Sequence, residues 1–346
     1  MRPAEVLIVG LPGPSLGRSE TRLLRRLQPG GVILFRHNVA GAGELQALIA
    51  ELRRLLPRTL LYLDAEGGRV ARLAGLVGPA PAAARLAVAP PPLAARAGRW
   101  TGQALRLFGF DVDLAPVVDL DRGRGDNSLD GRYLGDRAAP VIARGRAFLR
   151  GLHAAGVGGC VKHFPGLGAA EQDTHHRPAR VDLGQEALHE DLRPFIALAP
   201  LAGAVLVAHA IYQAWDREGR PASLSPAVAT GLLRHRLRFR GVALADDLEM
   251  QALAPWGSLP EVAAAAFLAG CDLLPVCHTL EAAPEIAARL GRARYVPRLH
   301  EATPRIRRFR RHLATLRRGA VPPARLTTIQ TRLRAINVAL GTPHEV

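Results

Sequence analysis

Cysteine and long apolar runs are both scarce in this sequence of 346 residues. The three cysteines, Cys160, Cys271 and Cys277, contain no CxxC spacing and cannot all pair, which argues against a disulfide scaffold or a zinc-finger site. No segment approaches the roughly 20 apolar residues that a membrane-crossing helix needs. The apolar stretch before Pro12 is too short for a secretory signal. We therefore expect a cytoplasmic protein with no membrane association.

Lysine and aromatic residues are also rare, although the chain is strongly basic. It has 46 basic and 30 acidic residues, a formal net charge of +16, and Lys162 is its one lysine. A charge of this size favours a nucleic-acid partner, but the arginines are spread along the whole chain and aromatic residues, which stack on bases, make up only 5%. The sequence thus predicts no nucleic-acid partner. A basic binding protein with a degenerate catalytic site stays open as an alternative.

Eight short apolar runs alternate with segments of helical periodicity. The runs lack apolar–polar alternation, which is typical of parallel strands covered on both faces. Eight such units, with no G-x-G-x-x-G after any strand, predict an α/β fold of the (β/α)8 TIM-barrel type rather than an open sheet. The predicted strands are Val6–Gly10, Val32–Phe35, Leu60–Asp64, Val112–Val118, Gly158–Lys162, Ala204–Ala208, Val242–Ala245 and Asp272–Val276. The predicted helices are Glu44–Leu56, Leu93–Phe108, Ala139–Ala155, Gln185–Leu198, Pro226–Leu237, Pro260–Ala269 and Leu280–Leu290.

We expect residues 1–346 to form a single domain. The segment Gly75–Pro92, rich in proline and alanine, is predicted to be a loop against the side of the barrel. After Pro304 a basic amphipathic helix is expected, with its arginines on a solvated face, followed by a tail that contains proline and runs to Val346. This C-terminal helix and tail occupy residues from about 300 to 346.

Polar residues directly follow six of the predicted strands. They are Arg36-His37-Asn38, Asp64-Ala65-Glu66, Asp119, Lys162-His163, His209 and Asp246-Asp247. The carboxyl ends of barrel strands form the active face, so these residues predict one catalytic site. Any single strand can end in a polar loop for structural reasons, but six in register favour the functional interpretation.

The segment Lys162–Gly168 is the most informative part of this pattern. A lysine and a histidine end a strand before a Pro/Gly loop, which predicts a substrate clamp followed by a lid. The single lysine stands where the wide fork of an arginine would not replace a compact ammonium. Further along the loop, Asp173 and His175 are spaced to form a carboxylate–imidazole pair for proton transfer. The adjacent His176 leaves the choice of histidine open from spacing alone.

Two further segments supply carboxylates. Side chains alternate along a strand, so only one of Asp246 and Asp247 is expected to reach the pocket as a candidate nucleophile. The other is expected to cap a helix or to pair with an arginine. Asp64 precedes a glycine turn that returns arginines to the same face. The carboxylate of Asp64 and the guanidinium of Arg72 are suited to binding a polyol, the first accepting hydrogen bonds from hydroxyl groups and the second donating them. The alternative is that Asp64 and Arg72 form a surface ion pair without a role in binding.

Six segments together resemble the motif set of glycoside hydrolase family 3 β-N-acetylhexosaminidases, single-barrel enzymes of bacterial cell-wall recycling. The resemblance runs from about residue 5 to about residue 280. The segments are Gly30–Phe35, Asp64–Val70, Lys162–Gly166, Asp173–His175, Ala208–Tyr212 and Gly241–Met250.

The resemblance implies two-step hydrolysis with retention of configuration. Asp246 would be the nucleophile that forms a covalent glycosyl-enzyme, and His175 the general acid/base, oriented by Asp173. The substrate would be a small carbohydrate, GlcNAc-anhydroMurNAc or muropeptides, and we expect a monomer without metal or cofactor. The residues implied to hold the sugar are Asp64, Arg72, Arg132, Lys162 and His163, with His209 lining the pocket.

Two positions depart from the family pattern. Leu167 stands where the family usually has a second histidine, in KHFPGHG, and this removes a polar group near the site. Around Arg132, the sequence from Asp126 to Gly135 only partly matches the usual arginine–serine–phenylalanine pattern. Larger family members that act on β-glucosides carry extra domains for which this chain has no room, which favours the N-acetylglucosaminidase subgroup.

Two other chemistries remain open from the sequence. A phosphorylase of the same family would pass the glycosyl unit to phosphate, since a histidine acid leaves room for an anionic acceptor. A metal-dependent barrel hydrolase would draw its ligands from His163, Asp173, His175, His176 and Asp246, although no H-x-H strand signature is present.

Overall fold

The computed structural model describes residues 2–317, 319 and 321–341. Short parallel strands form its centre and helices pack around them, so the α/β class predicted from the sequence is confirmed. Each of the predicted strand positions contains a strand. The strands are β1 (Leu7–Val9), β2 (Gly31–Leu34), β3 (Leu60–Leu63), β4 (Ala65–Gly67), β5 (Val70–Ala71), β6 (Val112–Asp113), β7 (Gly158–Gly159), β8 (Val161–Phe164), β9 (Ala204–Val207), β10 (Val242–Ala245) and β11 (Leu274–Val276).

The central strands form two parallel sheets. One has the order β11-β1-β2-β3-β6-β7 and the other the order β10-β9-β8. Parallel bridges of one residue pair lie between them, Val117 with Lys162 and Leu244 with Leu273. Every residue of β1, β2, β3, β9 and β10 is buried, which explains why these strands show no alternation of apolar and polar residues.

All of the predicted helical segments are helical in the structure. The segment Ala227–Arg236 is π-helical. Gly109 and Gly156 end α5 and α6 with φ of 92° and 88°, a left-handed conformation that favours glycine. The α-helices are α1 (Arg18–Leu27), α2 (Ala42–Leu55), α3 (Ala74–Val77), α4 (Ala83–Ala87), α5 (Pro91–Phe108), α6 (Ala138–Ala155), α7 (Gln185–Ala202), α8 (Leu259–Ala269), α9 (Ala283–Leu290), α10 (Val296–Leu316) and α11 (Leu326–Ala339).

The structure corrects one prediction of irregular backbone and adds a helix to the expected tail. Gly75–Pro92 is not a loop: it holds most of α3, all of α4 and the start of α5. Its alanines and leucines favour helix, and Pro91 stands at the first position of α5, where proline is tolerated. The expected tail contains α11, which buries Ile329, Leu333 and Ile336. Residues 342–346 of that tail, up to Val346, lie outside the described residues.

The basic helix α10 starts at Val296 rather than after Pro304, and its arginines are not simply solvated. Several of them bond to groups that precede strands, at the amino ends of β2, β10 and β11. These contacts run from Arg310 Nη2 to the Gly30 carbonyl at 3.4 Å, from Arg308 Nη1 to the Arg240 carbonyl at 3.0 Å, and from Arg305 Nε to Asp272 Oδ1 at 3.0 Å. The prediction of a solvated face was therefore wrong for Arg305 and Arg310, which are half-buried, whereas Arg308 is exposed.

Two observations bear on the expectations drawn from composition. The three cysteines, Cys160, Cys271 and Cys277, are buried and free. Among the helices of residues 2–317, 319 and 321–341, none combines the length and the apolar character needed to cross a bilayer.

Candidate active site

A cavity of about 350 Å³ lies at the carboxyl ends of the strands, and we call it the catalytic cavity. All of the predicted site residues line it except Asp173 and His209. Apolar strand residues contribute Ile8, Ile33, Tyr62, Leu206 and Leu244 to its lining. The polar lining residues are Asp64, Glu66, Arg69, Arg72, Ser128, Arg132, Lys162, His163, His175, Asp246, Asp247 and His278.

Lys162 is the centre of a buried charge network in this cavity. Its Nζ lies 2.7 Å from Oδ1 of Asp64 and 2.5 Å from Oε1 of Glu66. Arg132 completes the network, because its Nε and Nη2 donate to the two Glu66 oxygens at 2.8 and 2.9 Å. Burial alone would raise the pKa of Glu66, but Lys162 and Arg132 hold that pKa well below its usual range. Burial would lower the pKa of Lys162, but its two carboxylate partners raise it, so the ammonium stays charged.

The hairpin β4–β5 returns Arg72 to the side of Asp64. The Arg72 N–H donates to the Asp64 carbonyl at 3.4 Å, and Arg72 lines the cavity. Asp113 Oδ1 accepts the Ala65 N–H at 2.9 Å, which fastens the start of the hairpin to β6. The turn predicted from the sequence is present, but the Asp64 carboxylate pairs with Lys162 rather than with Arg72.

Asp119 is fully buried and holds the segment that follows β8. Its Oδ2 lies 2.7 Å from Nδ1 of His163, and the carboxylate also accepts the N–H groups of His163 at 3.0 Å and Leu167 at 2.7 Å. A carboxylate only accepts hydrogen bonds, so Nδ1 of His163 carries a proton, and Nε2 lies 3.4 Å from Arg132 Nη2. The side chain of Leu167 is buried in the hydrophobic core, so only its backbone takes part in this arrangement.

Asp246 and Asp247 follow β10, and both border the catalytic cavity. The expectation that only one would reach the pocket was wrong, because the strand ends at Ala245 and side chains alternate only within a strand. Asp247 accepts the Glu249 N–H at 3.1 Å and lies 3.4 Å from Nε2 of His278. Among the residues that the structure describes, it therefore neither caps a helix nor pairs with an arginine.

The two neighbouring carboxyl groups differ in pKa. Burial alone would raise the pKa of Asp246. The imidazoles of His209, His163 and His175 outweigh burial and lower that pKa below its usual value. Burial raises the pKa of Asp247 to about 6. Asp246 is therefore the stronger acid of the two and is ionised at neutral pH.

His175 pairs with Asp173 as the spacing predicts. Its Nδ1 lies 2.6 Å from Asp173 Oδ1, and its backbone N–H donates to the same oxygen at 2.9 Å. Burial would raise the pKa of Asp173, but these two hydrogen bonds lower it. His176 Nε2 is 3.8 Å from Asp173, and its side chain is 78% exposed and does not line the cavity. The geometry thus distinguishes the two histidines that spacing alone left open.

The loop that carries His175 contacts the segment after β10. The N–H of Gln251 donates to the His175 carbonyl at 3.4 Å, and the N–H of Ala252 donates to the Thr174 carbonyl at 3.3 Å. These bonds join the segment that carries the imidazole to the segment that carries Asp246.

His209 lies behind the wall of the cavity instead of lining it, which corrects the prediction for this residue. It is fully buried, with Nε2 2.9 Å from the Asp247 carbonyl and Nδ1 2.7 Å from Ser223 Oγ. A carbonyl oxygen only accepts, so Nε2 donates to it. Burial lowers the pKa of His209, while the nearby carboxylate of Asp246 opposes this shift. His209 thus supports the end of β10.

Several lining or supporting residues had no role in the sequence prediction. Glu66 and Asp119 carried a signal, because both stand among the polar residues that follow strands. His278 carried none, since its position depends on stacking with Phe35, at 5.5 Å between ring centroids. The residues without a predicted role are Glu66, Arg69, Asp119, Ser128 and His278.

The metal-ligand candidates from the sequence are used in other ways. His163 pairs with Asp119, and His175 pairs with Asp173. In the part of the chain that the structure describes, no three His, Cys, Asp or Glu side chains form a group that could hold a metal ion.

The fold and the site together define a class of enzyme. An ionised carboxylate and a carboxylate-bound imidazole border one cavity, an arrangement suited to nucleophilic and general acid–base catalysis. Residues 6–308 match the family model described as the glycosyl hydrolase family 3 N terminal domain. The chain belongs to glycosyl hydrolase family 3, so the family resemblance and the enzyme class predicted from the sequence are confirmed.

Similarity to individual relatives extends over most of the chain. The beta-hexosaminidase of Xylella fastidiosa (strain 9a5c) is 37% identical over 297 residues, 83% of this chain and 88% of that protein. The beta-hexosaminidase of Pseudomonas aeruginosa (strain LESB58) is 35% identical over 294 residues, 84% of this chain and 88% of that protein.

Two solved structures are similar in fold. NagZ from Neisseria gonorrhoeae, in complex with N-trifluoroacetyl-D-glucosamine, has a TM-score of 0.82 and 27% identity, and the match covers 99% of both chains. A glycoside hydrolase family 3 beta-N-acetylglucosaminidase from Paenibacillus sp. str. FPU-7 has a TM-score of 0.87 and 30% identity, covering 96% of this chain and 68% of that one.

Proposed function

We propose that the chain is a retaining exo-β-N-acetylglucosaminidase that removes terminal GlcNAc in two steps through a covalent glycosyl-enzyme. One observation carries the proposal: the carboxylate of Asp246 and the imidazole of His175 line the same cavity, and Asp173 bonds to the imidazole. The names of the similar proteins above, which include a β-N-acetylglucosaminidase, support the choice of sugar.

In the first step, Asp246 attacks the anomeric carbon and forms a glycosyl ester while His175 gives a proton to the departing oxygen. In the second step, His175 takes a proton from water, which attacks the ester and releases the sugar with retained configuration. Because Nδ1 of His175 is bonded to Asp173, Nε2 is the atom that exchanges the proton. Most retaining enzymes use a second carboxylate here. An imidazole that has lost its proton is neutral and repels the nucleophile less than a second carboxylate would.

The sugar is held by the residues around Lys162. Asp64 accepts hydrogen bonds from hydroxyl groups, while Lys162 and Arg132 donate to hydroxyl and carbonyl oxygens of the sugar and its N-acetyl group. Nδ1 of His163 donates to Asp119, so its Nε2 accepts a hydrogen bond from a hydroxyl group. Arg72 also lines the cavity, and its guanidinium is a further hydrogen-bond donor to the sugar. The ion pairs of Lys162 and Arg132 with Glu66 fix both cations before substrate arrives, which lowers the ordering cost on binding. His209 acts from behind the wall as a positioning residue for Asp247.

We also propose that the two sheets close into a single (β/α)8 barrel and that residues 1–346 form one domain. Two features support closure. The strands β7 and β8 are consecutive parts of one segment, and the pair Leu244–Leu273 joins β10 to the residue before β11. The burial of α11 residues against the rest of the molecule supports inclusion of the C-terminal helices.

For the natural substrate, we propose GlcNAc-anhydroMurNAc or muropeptides, acted on by a cytoplasmic monomer. The family resemblance supports this choice. In a direct comparison, the enzyme should release GlcNAc from anhydro-muropeptides with a higher kcat/KM than from chitobiose. A preference for chitobiose would contradict this substrate.

The central test is the release of p-nitrophenol from its β-N-acetylglucosaminide and from its β-glucoside, with wild type and Asp246→Ala. We expect turnover of the first substrate only, and a loss on the order of 10³-fold or more in Asp246→Ala. Asp247→Ala is the matched control, because it removes the neighbouring carboxyl group, and its loss should be much smaller. Equal losses in both variants would contradict the assignment of the nucleophile.

Two further measurements complete this test. His175→Ala should impair substrates with poor leaving groups more than the nitrophenyl substrate, whereas equal losses would contradict the acid role. Product analysis with and without phosphate distinguishes hydrolysis from phosphorolysis. Formation of a GlcNAc phosphate as the main product would overturn the hydrolase proposal in favour of a phosphorylase.

A further inference from the structure

A second cavity, of about 430 Å³, lies at the opposite end of the strands, and we call it the basal cavity. It is formed by α7, by the end of the π-helical segment and by α10. Gly203 and Gly241, which directly precede β9 and β10, also line it, so the strands separate it from the catalytic cavity. Its volume lies within the range of about 300–1,000 Å³ that is usual for small-molecule sites.

The walls of the basal cavity are mainly apolar. Three phenylalanines, Phe195, Phe239 and Phe309, are buried side chains of the core that also face this space. Ile196, on α7, is 52% exposed, which is unusual for a large aliphatic side chain in this molecule. A ligand with an apolar body would cover this surface.

The rim of the basal cavity is positively charged. Arg238, Arg240 and Arg308 line it and are exposed, and no acidic residue is among its lining residues within the described ranges. The side chains of Arg238 and Arg240 make no hydrogen bond or ion pair with any described residue. An apolar interior with two unpaired guanidinium groups at its mouth is complementary to an anion with an apolar body.

Arg238 is held in an unfavourable backbone conformation. Its φ is 54°, in the left-handed region, and it follows the end of the π-helical segment at a position where glycine is preferred. The Phe239 N–H donates to the Leu233 carbonyl at 3.1 Å, which fixes this turn. Strain of this kind often persists where a side chain has a function. The strained residue here places a guanidinium on the rim of the cavity.

His312 adds a polar group to the same lining. Its ring packs edge-on against His153, with 5.4 Å between the ring centroids, so the imidazole forms part of the cavity wall.

We propose that the basal cavity binds a small organic carboxylate with an apolar body, of the size of a medium-chain fatty acid. The chain would lie between the phenylalanine walls, and the carboxylate would accept hydrogen bonds from Arg238 and Arg240. Because this site is at the other end of the strands, its ligand is not the sugar substrate, and the inference is independent of the proposed function.

The test is calorimetric titration of the full chain with decanoate, below its micelle-forming concentration. We expect one site with a Kd on the order of 100 μM or tighter. Arg240→Gln should weaken binding about tenfold, the usual value of one charge-assisted hydrogen bond. Arg307→Gln is the matched control: it removes the same charge from an exposed position of α10 outside the cavity, and it should leave the Kd unchanged.

The variant Arg238→Gly tests whether Arg238 binds the ligand or only supports the fold. Glycine relieves the left-handed strain, so the Tm should stay equal or rise by about 2 °C, while decanoate binding weakens at least fivefold. The proposal is overturned if decanoate does not bind, if all three arginine variants bind equally well, or if decyltrimethylammonium binds as tightly as decanoate. It is also overturned if the protein sediments as a dimer that Ile196→Glu dissociates, because a second copy would then occupy this face.

Discussion

At the scale of single residues, the buried carboxylate of Asp119 positions His163, a residue for which we propose a role in sugar binding. It accepts three N–H donors from His163 and Leu167. In Asp119→Asn the amide offers one acceptor oxygen and adds a donor, so it cannot serve all three. We expect KM for the β-N-acetylglucosaminide to rise about tenfold with a smaller change in kcat, and the free energy of unfolding to fall by about 2 kcal/mol.

Steady-state kinetics and urea unfolding check this prediction. Asp121→Asn is the control, because Asp121 lies two positions further along the chain, is exposed, and its carboxylate accepts the Gly123 N–H at 2.9 Å and no other hydrogen bond from a described residue. It should change neither KM nor stability. A fall in kcat at constant KM would show that Asp119 does not act through substrate binding.

The sequence was informative about residues whose function depends on local spacing. Asp173 and His175 are two residues apart and form the expected pair, and the glycine turn after Asp64 returns Arg72. The role of Glu66 was missed because its partners, Lys162 and Arg132, are distant in the chain. A polar residue after a strand shows that a site exists there, but not which distant charge it meets.

At the scale of secondary structure elements, α11 is a helix whose stability depends on docking. Leu333 is 1% exposed and lies in the core, whereas Val338, on the same helix, is 56% exposed. Leu333→Ala should therefore lower the free energy of unfolding by about 2–4 kcal/mol, and Val338→Ala by less than about 0.5 kcal/mol. Urea unfolding followed by circular dichroism measures both. Similar losses in the two variants would show that α11 is not docked as described.

The contrast between strands and short helices explains which elements could be predicted. Continuous apolar runs such as Val242–Ala245 indicate buried parallel strands wherever they fold. The helices α4 and α11 lie near prolines, which interrupt the helical pattern of the sequence around them. In the structure α4 contacts α5 and α6, and α11 contacts α5 and α3, and the sequence does not reveal these contacts.

At the scale of the whole molecule, the two ends of the strands have different tasks. The catalytic cavity lies at the carboxyl ends of the strands. At their amino ends, arginines bond to buried aspartates. Arg317 and Arg53 bond to opposite oxygens of Asp111 at 3.0 and 2.6 Å, although Arg317 and Asp111 are 206 positions apart. Part of the net charge of +16 thus serves internal contacts, which the scattered arginines did not reveal.

Asp272 is the strongest case of this internal use of charge. It is fully buried and accepts hydrogen bonds from Arg234 at 2.7 Å, from Arg298 at 2.8 Å and from Arg305 at 3.0 Å. Burial alone would raise the pKa of Asp272, but the three guanidinium groups lower it below its usual value of 3.8. An aspartate with a depressed pKa contributes stability at pH values above its unfolded pKa, and this contribution is lost as the pH falls through the folded value.

Asp272→Asn leaves three guanidinium groups without a counter-charge, so we expect the free energy of unfolding at pH 7 to fall by about 3–5 kcal/mol. The difference from wild type should begin to shrink as the pH falls below about 4, because Asp272 of the unfolded wild-type chain then takes up a proton while the folded carboxylate still resists protonation. Urea unfolding of both proteins between pH 3 and pH 7, in steps of about half a unit, measures this. The folded variant should keep the KM of the wild type, since the catalytic cavity is at the other end of the strands. A stability difference that does not vary with pH would mean that the lost hydrogen bonds, rather than the charge of Asp272, hold this end of the molecule together.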